Sequence, residues 1–260
     1  MATSKKEPEH GLTPLKLSYL SHIAHLNICT SLQLAAFTGT SYKATRGHTL
    51  DLSRHGMADS SMIPVSTGTS PLIYRLSKKG ARHLDVPLYP CPADLFMRHE
   101  LEIRDVRVWL ERIRRRYEHE ALRLWKVDEA ARIADVRPDA VFVYPLKGVK
   151  LTGLLEVDRG TESLKRWQAK FDMYATMMRR GDLKAAIGED RGRVLVVTPD
   201  EKRRDAIVKV LSGMLTQAKI ERDRFWVTER SSLAKEDLTE AVWRVPEGGE
   251  LRALVPDGVI

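Results

Sequence analysis

The sequence predicts a chain of class α+β/α/β, a helical, hairpin-bearing first third followed by a larger three-layer α/β domain with a mixed sheet. Three observations carry this reading. Charge is uneven: the 260 residues hold 43 Lys+Arg and 35 Asp+Glu, a net +8, and residues 1–90 alone contain 10 basic and 5 acidic side chains. The stretch VPLYPCP at 86–92 packs in three prolines, which neither a helix interior nor a central strand accommodates, so the boundary between domains 1–90 and 91–260 is expected there. Beyond it, helical periodicity and short β-branched runs alternate, the pattern of helices layered on a sheet. A hydrophobic content of 43% excludes a disordered chain. No apolar run approaches the roughly 20 residues of a membrane helix, so no membrane partner is expected. The first ten residues lack the apolar core of a signal peptide, and Cys29 and Cys91 are too few for a disulfide framework or a zinc site. A cytoplasmic location follows as the expectation, with nucleic acid as the first partner.

In the first third, residues 14–26 read as a helix with Leu17, Leu20, Ile23 and Ala24 at core spacing. Thr30 is a candidate cap for a short helix over 31–37 that Gly39 ends, and a third helix is expected over 41–55, stopping at Gly56. Two β-like runs, 61–65 and 71–76, flank a polar tip at 66–70, and a short helix over 78–84 closes the unit. This order is that of a winged helix-turn-helix. The segments SLQLA at 31–35 and YRLSKKGARHL at 74–84 resemble that family's second helix and its exit from the wing. The resemblance implies that helix 41–55 enters the major groove of double-stranded DNA and that the wing touches the backbone or minor groove. Tyr42, Lys43, Arg46 and His48 are the candidates on that helix; Arg54, Arg75, Lys78 and Lys79 are expected mainly at phosphates. A winged helix used for protein contacts is the alternative. Such modules commonly bind palindromes as dimers, which makes a homodimer the expected assembly.

Residues 95–117 place Phe96, Ile103, Val106, Leu110, Ile113 and Tyr117 at three- and four-residue steps, one core stripe of a long helix. Its seven arginines are expected on a solvated face, partly balanced by Glu100, Glu102, Asp105 and Glu111. Next, two β-type runs flank Lys147-Gly148, and glycine suits the left-handed position of a two-residue turn. In that register Asp139 lies opposite Glu156 and Arg137 opposite Asp158. Opposed cross-strand residues are roughly 4.5–5.5 Å apart at Cβ, so two carboxylates there repel and call for a cation, an arginine or a raised pKa. A helix over 161–179 follows, with Trp167, Phe171 and Tyr174 on its core face. Then come a strand at 193–198, a helix at 200–219, a strand near 225–228 and a surface helix over 233–243.

The pair Pro138-Asp139 with Glu156-Val-Asp158 resembles the PD-(D/E)xK nuclease core, in which an Asp and a Glu bind the catalytic metal. More closely, RPDA at 137–140, EVDRGTE at 156–162 and KFDMY at 170–174 resemble the replication-relaxation family, winged-helix proteins of plasmids and other mobile elements. The nuclease pattern has a lysine two residues after the glutamate; here Asp158 stands there, and Lys170 is the candidate substitute from the helix. Glu100 or Glu102 could complete a metal site. Two readings stay open. In one, the chain is a DNA-binding regulator or replication/maintenance factor of a mobile element whose nuclease-like domain serves as a platform. In the other, it is a Mg²⁺- or Mn²⁺-dependent endonuclease using Asp139, Glu156, Asp158 and Lys170, with metal on Asp139 and Glu156.

Overall fold

A computed structural model describes residues 12–63, 70–118, 121–146, 149–218, 222–234, 240–246 and 251–255, which form two units, Met1–Arg104 and Asp105–Ile260. In the first unit, α1 (Pro14–Leu26) begins behind Thr13, whose hydroxyl accepts the Lys16 amide, with proline in its first turn. Strand β1 (Cys29–Thr30) leads into α2 (Ser31–Thr38) through a capping box, Thr30 and Gln33 each accepting the other's backbone amide. Gly39, at φ 73°, ends α2 in the left-handed region, and Ser41 caps α3 (Tyr42–Arg54). Strands β2 (Ala58–Met62) and β3 (Leu72–Leu76) complete a three-stranded antiparallel sheet of order β1-β3-β2. Helix α4 (Lys78–Leu84) follows, and α5 (Asp94–Arg116) runs through the division between the units.

The second strand of that sheet begins at Ala58 rather than at 61, because Ala58 pairs with Leu76 and both are buried. The expected tip at 66–70 lies outside the described residues but for Ser70. A Cβ at Gly80 would stand 2.0 Å from the Met57 carbonyl oxygen, so glycine is what lets α4 close against the approach to β2.

The division into units falls after Arg104, inside α5, rather than at the proline-rich stretch. Met97 and Leu101 pack with Ile28, Ile63 and Ile73, while Gln33 Nε2 donates to the Leu101 carbonyl at 2.7 Å. These contacts, not Phe96, anchor the start of the helix: Phe96 is 59% exposed. Nor are all the α5 arginines solvated. Arg104 is buried, donating from Nε to the Leu26 carbonyl at 2.6 Å and pairing with Glu100 at 3.1 Å. Arg107 is buried over the Trp125 ring, and burial pulls its pKa down to about 10.

In the second unit, β4 (Leu124–Val127), β5 (Ala140–Leu146) and β6 (Val149–Val157) form an antiparallel meander. Helices α6 (Leu164–Arg180) and α7 (Asp182–Ile187) precede β7 (Arg193–Thr198); α8 (Glu201–Ala218) precedes β8 (Phe225–Glu229), and the short β9 (Trp243–Arg244) and β10 (Leu251–Arg252) follow. The seven strands lie in the order β10-β9-β8-β7-β6-β5-β4, with β6, β7 and β8 parallel and the other pairs antiparallel. The parallel strands are apolar on both faces, as strands covered from both sides must be. On one face Leu154, Val194, Val196 and Val227 pack with Trp167, Phe171 and Tyr174 of α6 and with Ile207 and Leu211 of α8. On the other, Trp109 of α5 lies 6.5 Å from Trp243 between ring centroids, and Arg107 covers Trp125. The result is a helix-sheet-helix sandwich. Of the surface helix expected over 233–243, Leu233 and Ala234 end a 3₁₀ turn (Arg230–Ala234) and Trp243 lies in a strand, while residues 235–239 lie outside the described residues. Among the described residues no helix is long and apolar enough to cross a membrane.

Candidate functional site

Two groups of the expected residues stand out, one on each unit. On the first, α3 buries Thr45, Thr49 and Leu52. Hydroxyls line this packing: Tyr19 donates to Thr40 at 3.0 Å, and Ser31 and Thr49 oxygens lie 3.2 Å apart. At 3.6 residues per turn, the opposite side of the helix carries Lys43, Arg46, Gly47, Leu50 and Arg54. Lys43, Arg46 and Arg54 are exposed, Tyr42 is 51% exposed, and no acid interrupts the stripe. Asp51 lies to its side, paired with Lys16 and His55, and Lys16 holds its carboxyl below the usual range. His48 points away from the stripe enough to stack on Tyr19, with ring centroids 4.9 Å apart. Lys78 and Lys79 are exposed, with Lys79 Nζ donating to the His55 carbonyl at 3.2 Å. Arg75 is half-buried and paired across the sheet with Asp59 at 3.3 Å.

On the second unit the hairpin register is the one the turn requires: Ala140 opposes Leu155, and the pairing runs to Leu146 opposite Val149. The Lys147–Gly148 turn itself lies outside the described residues. Just beyond the paired segment, the Asp139 amide donates to the Leu155 carbonyl at 2.9 Å, and Asp139 Oδ2 accepts the Val157 amide at 2.7 Å. Glu156 shares the sheet face of Leu154, toward α6, and is 2% exposed. Lys170 Nζ reaches Glu156 Oε2 at 2.8 Å and Glu162 Oε2 at 3.2 Å, and lies 4.7 Å above the Trp167 ring. Tyr174, one helical turn on, donates its hydroxyl to Glu156 Oε1 at 2.6 Å. Asp139, Glu156 and Lys170 are therefore brought together. Tyr174 and Glu162 belong with them, although helical periodicity alone assigns Tyr174 to the core; the signal for it was its i+4 spacing from Lys170.

Asp158 is not part of this group. Its side chain is fully buried against Arg203 of α8, which donates Nε to Oδ2 at 2.5 Å and Nη2 to Oδ1 at 3.3 Å. Arg203 also donates to the Glu162 carbonyl at 2.6 Å, so it ties the loop after β6 to α8. Both Asp158 carboxylate oxygens are thus committed to one guanidinium.

The electrostatics follow from burial. Desolvation, then Asp139, push the Glu156 carboxyl up to about 7 against the pull of Lys170. Burial lowers the Lys170 ammonium, but Glu156, Glu162 and Asp139 more than offset this and leave it above the ordinary lysine value. A Mg²⁺ or Mn²⁺ ion needs carboxylate lone pairs not already given to another cation. Both Glu156 oxygens and one Asp139 oxygen are engaged by donors, one of them an ammonium. Among the described residues no group of three His, Cys, Asp or Glu side chains is arranged to hold a metal ion, and Glu100 pairs with Arg104. These residues do not fit a resident divalent ion.

A family model described as replication-relaxation matches residues 20–188, a span from α1 through α7 that includes Asp139, Glu156 and Lys170 but not Arg203. Comparison with curated proteins and with solved structures gave no match.

The raised Glu156 pKa has a consequence for stability. Between its ordinary value of 4.5 and about 7, the folded chain keeps a proton that the unfolded chain has released. This contribution is therefore fully present below 4.5 and is lost as pH rises to about 7. Urea unfolding across that window should show it, and Glu156→Gln should flatten the slope. Identical slopes in the two proteins would contradict the assignment.

Proposed function

Because the chain belongs to the replication-relaxation family, we propose that it is a DNA-binding regulator or replication/maintenance factor of a plasmid or other mobile element. On this reading the first unit is a winged helix-turn-helix whose α3 reads the major groove of double-stranded DNA. The second unit is a nuclease-like domain that serves as a platform rather than a catalyst. The observation that carries the proposal is the acid-free stripe of Lys43, Arg46, Gly47 and Arg54 on the outer side of α3. The small Gly47 leaves room beside Lys43 and Arg46 for a base edge or phosphate. Lys78 and Lys79 extend the positive surface toward the DNA backbone, and a homodimer on a two-fold site is the arrangement such a helix serves.

Retardation of duplex DNA tests this. Arg46→Ala should weaken binding by about tenfold, and the salt dependence should become shallower by about 0.9 for each phosphate that the variant no longer neutralises. Absence of retardation at low salt would sink the reading and favour a winged helix used for protein contacts.

The competing reading, a metal-dependent endonuclease, draws on the convergence of Asp139, Glu156 and Lys170. Supercoiled plasmid incubated with Mg²⁺ or Mn²⁺ should remain unnicked. Nicking that disappears in both Asp139→Ala and Glu156→Ala would establish the endonuclease instead.

A further inference from the structure

The carboxylate group of the second unit contains its own cation. Asp139 lies just ahead of β5 and is tied to β6 on either side of Glu156, its amide donating to the Leu155 carbonyl and its Oδ2 accepting the Val157 amide. Glu156 is 2% exposed, so solvent does little to screen the repulsion between the two carboxylates. The ammonium of Lys170 answers it from α6. It stands 2.8 Å from one Glu156 oxygen and 3.2 Å from one Glu162 oxygen. The ammonium has a third neighbour, since Nζ also lies over the Trp167 ring, one turn earlier on the same helix. Tyr174, one turn later, takes the remaining Glu156 oxygen.

We infer that Lys170 is the resident counter-cation of this site, standing where a divalent ion would have to stand, so that the chain excludes Mg²⁺ and Mn²⁺. Removing the ammonium alone converts Glu156 and Glu162 into a divalent-cation site. Two carboxylates already converge on the Lys170 nitrogen, and Mg²⁺ is typically held by one or two carboxylates together with water. The Lys170 side chain is 23% exposed, which gives water and ions a route to the position it would leave. The idea concerns the second unit alone; failure of duplex binding through α3 would leave it standing, and its own failure would leave duplex binding untouched.

The test is a Mn²⁺ titration of the full chain, followed by electron paramagnetic resonance at constant ionic strength. Wild type and Glu156→Gln should give the same signal up to millimolar Mn²⁺. Lys170→Ala should bind one Mn²⁺ about tenfold or more tightly than wild type, and adding Glu156→Gln should remove the gain. A Mn²⁺ site in wild type that Glu156→Gln abolishes would overturn the inference, and this comparison holds even if Lys170→Ala does not fold. A folded Lys170→Ala that gains no Mn²⁺ would overturn it as well.

Discussion

The ion pair between Lys170 and Glu156 is the interaction on which the second unit turns. A carboxylate as enclosed as Glu156 carries an effective desolvation cost of several kcal/mol, which only a well-placed partner offsets. The partner comes from α6, because the chain just ahead of β5 contributes Asp139, another acid. The pair therefore couples hairpin geometry to helix placement: α6 is fixed over the sheet by Trp167, Phe171 and Tyr174, and these same turns deliver the ammonium and the phenol to Glu156. Such a pair stabilises little compared with apolar residues of equal volume, but breaking it leaves a buried charge unmatched. Its worth lies in admitting one arrangement of strand and helix.

A second clamp repeats the logic at the end of β6. Asp158 is neutralised by Arg203 rather than left as a reactive acid, and the same guanidinium holds the loop at Glu162. Glu156, Asp158 and Glu162 are thus each matched to a cation from a helix. The first unit distributes charge the other way. Its α3 turns hydroxyls and Leu52 inward and leaves cations outward without acids among them, so positive potential collects on one exposed surface.

Much of this arrangement was legible in the sequence where the physics is local. A two-residue turn with strict alternation admits one register, and Ala140 opposite Leu155 follows from it; Asp139 falls just outside the paired strand and bonds to Leu155 instead of standing directly opposite Glu156. Lys170 was legible only through the resemblance to the nuclease core, whose lysine position is held here by Asp158. Arg203 was not, since a pairing 45 residues from Asp158 in another helix leaves no periodic trace. The long helix misled in a different manner. Its early turns pack through Met97 and Leu101 into the first unit, one position off the Phe96 stripe. Arg104 and Arg107 look like surface charges in a periodicity plot, yet a carbonyl and a tryptophan ring receive them in the interior. The unit boundary moved into the helix for the same reason: prolines mark where regular structure stops, not where packing does.

The most direct measurement of the central pair is a double-mutant cycle of Glu156→Gln and Lys170→Met, read by urea unfolding of the full chain. Direct pairing predicts that the two substitutions couple by about 1 kcal/mol or more, because the second removes a charge the first has already left unmatched. Additivity to within about 0.3–0.5 kcal/mol would contradict it and would mean that Lys170 and Glu156 are neighbours without being partners.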